Sequence, residues 1–200
     1  MTSTKMAKTL MGGHERKNQR TGPKPHGVPA RIFSALFLCY VVLSSWSQAG
    51  QLPGNRWDLL AIAYPPGREI AVNLGGAEKT LASTGAFKVK AKADSSSLEI
   101  EIKNLPAPGE VGWTGKQYVL WALDREKRVM NMGLVPVRGK GGKWSVQIPF
   151  RVFGLMVTAE QDAKSSAPSE AVAMESLLPI DPDIVVPIYR VEVALAQPKG

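Results

Sequence analysis

Residues 87–103 read FKVKAKADSSSLEIEIK, and this stretch indicates the fold of the chain more clearly than any other. Apolar and charged residues alternate from Phe87, and they alternate again from Leu98, after an Asp-Ser-Ser-Ser cluster at residues 94–97. In a β-strand, alternate side chains point to opposite faces of the sheet. We therefore predict a β-hairpin with one face in a core and the other in solvent.

The charges of this hairpin also predict a register. If the chain turns at Ser95-Ser96, so that paired residue numbers sum to 191, Lys92 lies opposite Glu99 and Lys90 lies opposite Glu101. The apolar residues then meet on the other face. Lysines at every second position are also compatible with a polyanion-binding surface, but glutamates opposite them favour a solvated, self-neutralised face.

The pattern of short apolar stretches continues over most of the chain, with Gly, Pro, Asp and Ser clusters between them and no sustained helical periodicity. This pattern is typical of an antiparallel all-β domain. Residues 117–124 are bulky on both faces, which predicts a central strand, and residues 106–115 predict the longest loop. The candidate strands are Trp57–Ala63, Glu69–Leu74, Ala86–Ala93, Leu98–Asn104, Gln117–Asp124, Val129–Val137, Lys143–Ile148, Phe153–Glu160, Ala171–Glu175 and Ile184–Leu195.

The N-terminal region has the composition of a secretory signal. A basic stretch over residues 1–31 precedes an apolar run at residues 32–43, and Ser47-Gln48-Ala49 then places small residues at −3 and −1 of a cleavage site before Gly50. We expect a signal peptide helix over residues 1–49, cleavage between Ala49 and Gly50, and a periplasmic or secreted product. The alternative is an uncleaved anchor in the cytoplasmic membrane formed by residues 32–46, for which the apolar run is short.

Charge and residue inventory exclude several functions. The chain carries a net charge of +8, but residues 1–49 hold seven basic residues and one acidic residue, so the rest of the chain is close to neutral at +2. Such a balance does not favour nucleic acid as a partner. The single cysteine, Cys39, and both histidines, His14 and His26, precede the expected cleavage site. The exported part then lacks the usual metal ligands and nucleophile–base pairs, so we expect no cofactor, no metal site and no catalytic residue.

Four short stretches resemble one family. They are Gln117–Leu123 (QYVLWAL), Asn131-Met-Gly133, Phe153–Glu160 (FGLMVTAE) and Pro168-Ser-Glu170. Together they resemble the extracytoplasmic C-terminal domain of anti-sigma-K factors and related stand-alone exported bacterial proteins, over about residues 86–175. The resemblance implies an immunoglobulin-like antiparallel β-sandwich, in agreement with the strand pattern. It does not carry over sigma-factor inhibition, because at most 31 residues precede the apolar run and they lack the cysteine pair of the cytoplasmic domain.

A ligand site is predicted on loops rather than on the sheet. Trp113 lies in the Gly-rich loop between Gly112 and Gly115, where a large aromatic side chain can stack on a sugar or dock on a protein. The alternative is that Trp113 folds back and covers the end of the core. Arg125 and Arg128, in the charged turn 124–128, are predicted to join this ligand-binding site.

Three other groups of residues resemble known functional sites, but a structural role explains each of them better. Glu99 and Glu101 share a strand face, whereas glycosidase carboxylates face each other across a cleft. Asp181 and Asp183, with Asp162, could bind calcium, but they lack the acidic spacing of a calcium loop. The GKGGK stretch at residues 139–143 is expected to form a hairpin turn, since a phosphate loop needs different spacing and a following helix.

The sequence therefore predicts a signal peptide (1–49), a leader (50–56), a β-sandwich domain (57–178) and a C-terminal extension with a final strand (179–200). The expected function is non-catalytic binding or structural association in the cell envelope, with an envelope protein or a glycan as partner. Membrane association is expected only if the signal is not cleaved. The alternatives are a signal-anchored envelope or regulatory component and a carboxylate-based hydrolase.

Overall fold

The computed structural model describes residues 55–196, and this part of the chain is all-β, as predicted. The predicted signal peptide and its predicted cleavage between Ala49 and Gly50 lie outside the described residues. In the described part no helix is both long and apolar enough to cross a membrane. Single-turn 3-10 helices occupy Glu78–Thr80 and Pro108–Val111. The strands are β1 (Arg56–Ala63), β2 (Glu69–Gly76), β3 (Thr84–Ala91), β4 (Ser96–Lys103), β5 (Gln117–Asp124), β6 (Val129–Leu134), β7 (Gly142–Ile148), β8 (Val152–Glu160), β9 (Val172–Pro179) and β10 (Ile188–Ala194).

All ten strands belong to one antiparallel sheet that nearly closes on itself. The pairing order is β10-β1-β8-β9-β2-β3-β4-β7, and β5 lies between β8 and β6. Strand β8 organises the sheet because it pairs with β5 along one edge and with both β1 and β9 along the other. Each sequence-predicted strand has a counterpart, and Gln117–Asp124 is reproduced to the residue.

The inner core lies between the β2–β3–β4 part of the sheet and the β5–β8 part. Its buried side chains alternate along each strand, as in Phe87 and Val89 of β3 or Leu98 and Ile100 of β4. The sequence period of two therefore identifies the core face correctly. Burial of this apolar surface is the main favourable contribution to folding.

A second apolar cluster forms on the outer face of β5, where the β1–β10 pair and β9 contribute side chains. Trp121 is fully buried there with Leu59 and Val193, and Trp57 packs against the cluster and donates a 2.7 Å hydrogen bond from Nε1 to Glu175. Strand β5 is thus buried on both faces, which confirms its prediction as a central strand.

The register predicted for the β3–β4 hairpin is wrong. Paired residue numbers sum to 187, so Lys88 lies opposite Glu99, and Lys90 lies opposite Ser97. The turn takes four residues and is closed by a 2.8 Å hydrogen bond from Lys92 N to the carbonyl oxygen of Ser95. Alternation fixes which face is buried but not the register, because a shift by an even number of residues preserves the faces.

The partner of these lysines comes from a third strand. Glu69 of β2 lies within 3.5 Å of Lys88 Nζ and within 3.1 Å of Lys90 Nζ. Both lysines lower the pKa of Glu69, with the hydrogen bond from Lys90 as the largest contribution. The lysines of this face are therefore neutralised by β2, and within the described residues no ion pair joins them to the glutamates of β4.

Candidate functional site

The structure separates the residues that the sequence assigns to one ligand site. Trp113, Gly112 and Gly115 precede β5, whereas Arg125 and Arg128 follow it. An eight-residue strand spans about 23 Å, so the two groups lie at opposite ends of the domain. The prediction that they act together is therefore wrong, because the whole length of β5 separates them.

Trp113 covers the end of the inner core, which was the alternative to a ligand-binding role. Its ring is half-buried and meets the ring of Tyr118 edge-on, with 6.5 Å between the centroids. Tyr118 in turn donates a 2.7 Å hydrogen bond to the carbonyl oxygen of Pro106. Burial, with a smaller contribution from Glu110, raises the pKa of Tyr118 to about 12.

The neighbouring glycines have backbone roles. Gly112 ends the 3-10 helix Pro108–Val111 with φ +74°, a conformation that other residues rarely adopt. Gly115 packs against β8 so closely that a Cβ atom would lie 2.6 Å from the carbonyl carbon of Ala159.

The two arginines belong to a well-defined hairpin turn between β5 and β6. The side chain of Asp124 is buried, and its Oδ1 accepts hydrogen bonds of 2.9 Å from the backbone N–H groups of Glu126 and Arg128. Its other oxygen accepts a hydrogen bond from Nε of Arg128, which raises the pKa of that arginine. Lys127 takes φ +66° to close the turn. One carboxylate thus fixes the backbone and one guanidinium together.

A groove of about 390 Å³ lies beside this turn. It is lined by the turn itself, by the β3–β4 turn at Asp94 and by the β7–β8 connection at Phe150 and Arg151. The guanidinium carbon of Arg128 lies 5.9 Å from the centre of the Phe150 ring. Arg125 and Arg128 keep more than half of their side-chain surface exposed, and Glu126, which also lines the groove, forms ion pairs of 3.3 Å and 3.1 Å with them.

Sequence reasoning did not identify Asp94, Asp124, Phe150 or Arg151 as part of this site. No local pattern links the connection 149–151 to the turn 124–128. They meet because β8 pairs with β5, which places Phe153 opposite Asp124. The prediction of that strand pair, from the bulky residues of both strands, could have brought these residues together.

The residues that carry the family resemblance converge on a different place, the loop formed by residues 161–170. Trp121 Nε1 donates a 2.7 Å hydrogen bond to Thr158, which donates to the buried carboxylate of Glu160. The same carboxylate accepts a 2.8 Å hydrogen bond from the backbone N–H of Ser169. Asn131 Nδ2 donates to two carbonyl oxygens of this loop, those of residues 163 and 165. These side chains hold the loop against the sheet, which gives the motif a structural role.

The residues of the less favoured catalytic and calcium sites also form ordinary structural contacts. Glu101 forms a 2.9 Å ion pair with Lys103 on the exposed face of the sheet. The carboxylates of Asp162 and Asp181 each accept a hydrogen bond from a backbone N–H two residues later. Over residues 55–196, no three His, Cys, Asp or Glu side chains are grouped so that they could hold a metal ion. The glycine-rich stretch 139–143 forms a turn that leads into β7, as predicted.

Comparisons of the chain with protein-family models, with curated proteins and with solved structures gave no match.

Proposed function

We propose that this chain is an exported, non-catalytic protein that acts by binding in the cell envelope, through the groove beside the β5–β6 turn. The observation that carries the proposal is one cavity that brings together three arginines and an aromatic ring, Arg125, Arg128, Arg151 and Phe150, in a lining that also holds the carboxylates of Asp94, Asp124 and Glu126. The proposal includes an immunoglobulin-like arrangement of the strands and kinship with the extracytoplasmic domain of anti-sigma-K factors. The inner core between two parts of the sheet is compatible with both.

The chemistry of the groove favours a ligand that carries a carboxylate beside an apolar group. Guanidinium groups bind carboxylates through paired hydrogen bonds, and an aromatic ring offers an apolar contact next to them. Arg151 forms no ion pair with any residue of the described range 55–196, so it is available to an anionic group. The peptide stems of peptidoglycan carry free carboxylates and are a suitable envelope ligand of this class.

The turn is held rigidly enough to serve as a recognition site. Because Asp124 fixes both backbone N–H groups and the guanidinium of Arg128, little conformational entropy remains to be lost when a ligand binds. The groove lies at an end of two central strands, where loops of β-domains commonly bind ligands. A non-catalytic role agrees with the sequence, since the chain has no His or Cys after residue 49.

The test is co-sedimentation of the purified protein, in the form in which cells accumulate it, with isolated peptidoglycan sacculi. Arg125→Ala and Arg151→Ala are each expected to weaken binding about tenfold, the effect of losing one good charge-assisted contact. Arg138→Ala is the matched control, because Arg138 is an exposed arginine on the 138–143 turn, away from the groove. Trp113→Ala is expected to leave binding unchanged.

Equal binding by the arginine variants and the control would contradict the proposed site. Release of soluble sugar or peptide fragments by protein purified to homogeneity would contradict the non-catalytic role and favour the carboxylate-based hydrolase. N-terminal sequencing of the accumulated protein separates the two locations. A start at Gly50 is expected for the exported form, whereas a start before Arg31 would favour the anchored component.

A further inference from the structure

Three strands of the described part pair with only one neighbour in the sheet: β6, β7 and β10. A free strand edge offers unpaired N–H and C=O groups to another chain unless the edge is irregular, charged or covered by another segment. The edge of β6 is irregular, since it contains a register shift and Gly133 at φ +93°, and Asn131 holds the loop 161–170 beside it. Strand β7 carries Lys143 but no acidic residue, so a second β7 would offer it no opposite charge.

Strand β10 differs from both. It is regular over Ile188–Ala194, contains neither glycine nor proline, and pairs with β1 without a register shift. Two exposed apolar side chains lie at its start, Ile188 at 40% and Tyr189 at 38% exposure. Such exposed apolar surface next to a free edge is typical of a site of association.

The direction of the free backbone groups follows from the hydrogen bonds at the two ends of β10. The carbonyl oxygen of Pro187 accepts from Ala63 N, and Leu195 N donates to the carbonyl oxygen of Asn55, so the odd-numbered residues point their backbone groups towards β1. The even-numbered residues, Arg190 and Glu192 among them, therefore point theirs towards the free edge. The backbone N–H of Ala196, another even-numbered residue, also points away from β1 and donates a hydrogen bond to the carbonyl oxygen of Pro168. This contact marks the C-terminal end of the free edge.

We propose that the chain forms a two-fold homodimer in which the β10 strands of two copies pair antiparallel, with Val191 on the axis. In this register Arg190 of each copy lies opposite Glu192 of the other, and these residues carry the free backbone groups. Cross-strand pairs of opposite charge stabilise a sheet, and like pairs destabilise it. Axes through the neighbouring residues would place Arg190 opposite Arg190, or Glu192 opposite Glu192.

The same register suits the other side of the strand. Tyr189 lies opposite Val193 of the second copy, on the face that continues the outer apolar cluster. Within one copy Arg190 already lies 3.8 Å from Asp58, and Arg56 lies 3.2 Å from Glu192, so the dimer would extend an existing network of alternating charges.

The test is sedimentation velocity of the purified protein over a range of concentrations, with two charge-reversal variants. Arg190→Glu places Glu opposite Glu, and Glu192→Arg places Arg opposite Arg, so each variant alone is expected to dissociate at least about tenfold more readily. A mixture of the two variants restores opposite charges at every pair and is expected to form a dimer of one copy of each. Arg68→Glu, at an exposed arginine outside β10, is the matched control and should dimerise like the unaltered protein.

Folding of each variant is checked by its thermal unfolding transition, since both substitutions also remove an exposed ion pair with β1. A monomer at all concentrations of the unaltered protein would overturn the proposal. Dimers that persist equally in both single variants would also overturn it, because they would place the interface elsewhere. Recovery of the dimer in the mixture supports it, and the failure of folded variants to recover the dimer would refute the register.

Discussion

The turn that shapes the candidate groove depends on one buried carboxylate, and its removal should destabilise the domain measurably. In Asp124→Ala, the backbone N–H groups of Glu126 and Arg128 lose an acceptor that lies 2.9 Å from each. A hydrogen bond to a charged acceptor contributes about 1.5 kcal/mol, so the two predict a loss of about 3 kcal/mol in the free energy of unfolding. Asp124→Asn keeps an oxygen in place but removes the charge, and should cost about 1 to 2 kcal/mol.

The assay is urea unfolding at neutral pH, monitored by tryptophan fluorescence, because Trp121 lies in the middle of the same strand. Asp58→Ala is the control, since the Asp58 side chain is exposed and its one ion pair within residues 55–196, with Arg190, is 3.8 Å long. Such a surface pair contributes less than about 1 kcal/mol. If Asp124→Ala costs no more than Asp58→Ala, the carboxylate does not hold the turn, and the proposed rigidity of the groove is refuted.

Three further outcomes follow from single residues. Tyr64→Phe should leave the free energy of unfolding unchanged or raise it by about 1 kcal/mol, because the buried hydroxyl has no hydrogen-bond partner among the described residues; a loss above about 1 kcal/mol in urea unfolding would contradict this. Lys127→Gly should raise the free energy of unfolding by up to about 1 kcal/mol, since glycine adopts φ +66° without strain, and a lower unfolding midpoint would be the contrary result. Stability should fall as pH rises above about 10, because burial raises the pKa of Tyr64 and, less strongly, that of Tyr118, so that the folded state binds more protons than the unfolded state. Tyr118→Phe should reduce this alkaline loss of stability without abolishing it, because Tyr64 remains, and an unchanged pH dependence of unfolding would exclude a contribution from Tyr118.

Local patterns in the sequence are sufficient to place the strands and their buried faces. Leu98 and Ile100 are buried and Glu99 is exposed because alternation along one strand needs no knowledge of the rest of the fold. The same holds for β5, where bulky residues on both faces required two apolar layers. The charged residues 124–128 likewise predict a turn from the local sequence alone.

Local patterns do not predict which segments distant in the sequence contact each other in the fold. Opposite charges within the hairpin predict the wrong β3–β4 register, because the partner of Lys88 and Lys90 is Glu69 of β2, which lies outside the hairpin. The candidate groove depends on the pairing of β5 with β8, which brings Phe150 to a turn more than 20 residues earlier in the chain. The Gly-rich composition around Trp113 favours a ligand-binding role, whereas in the fold Tyr118, five residues later, provides its ring with a packing partner.

Hydrogen exchange of the protein in the presence and absence of peptidoglycan sacculi tests the proposed binding site most directly. Slower exchange on binding is expected in the turn 124–128 and the connection 149–151, with no change in the Trp113 loop at residues 106–116. Protection confined to the Trp113 loop, or no protection anywhere in a complex that sediments, would contradict recognition through the arginine-lined groove.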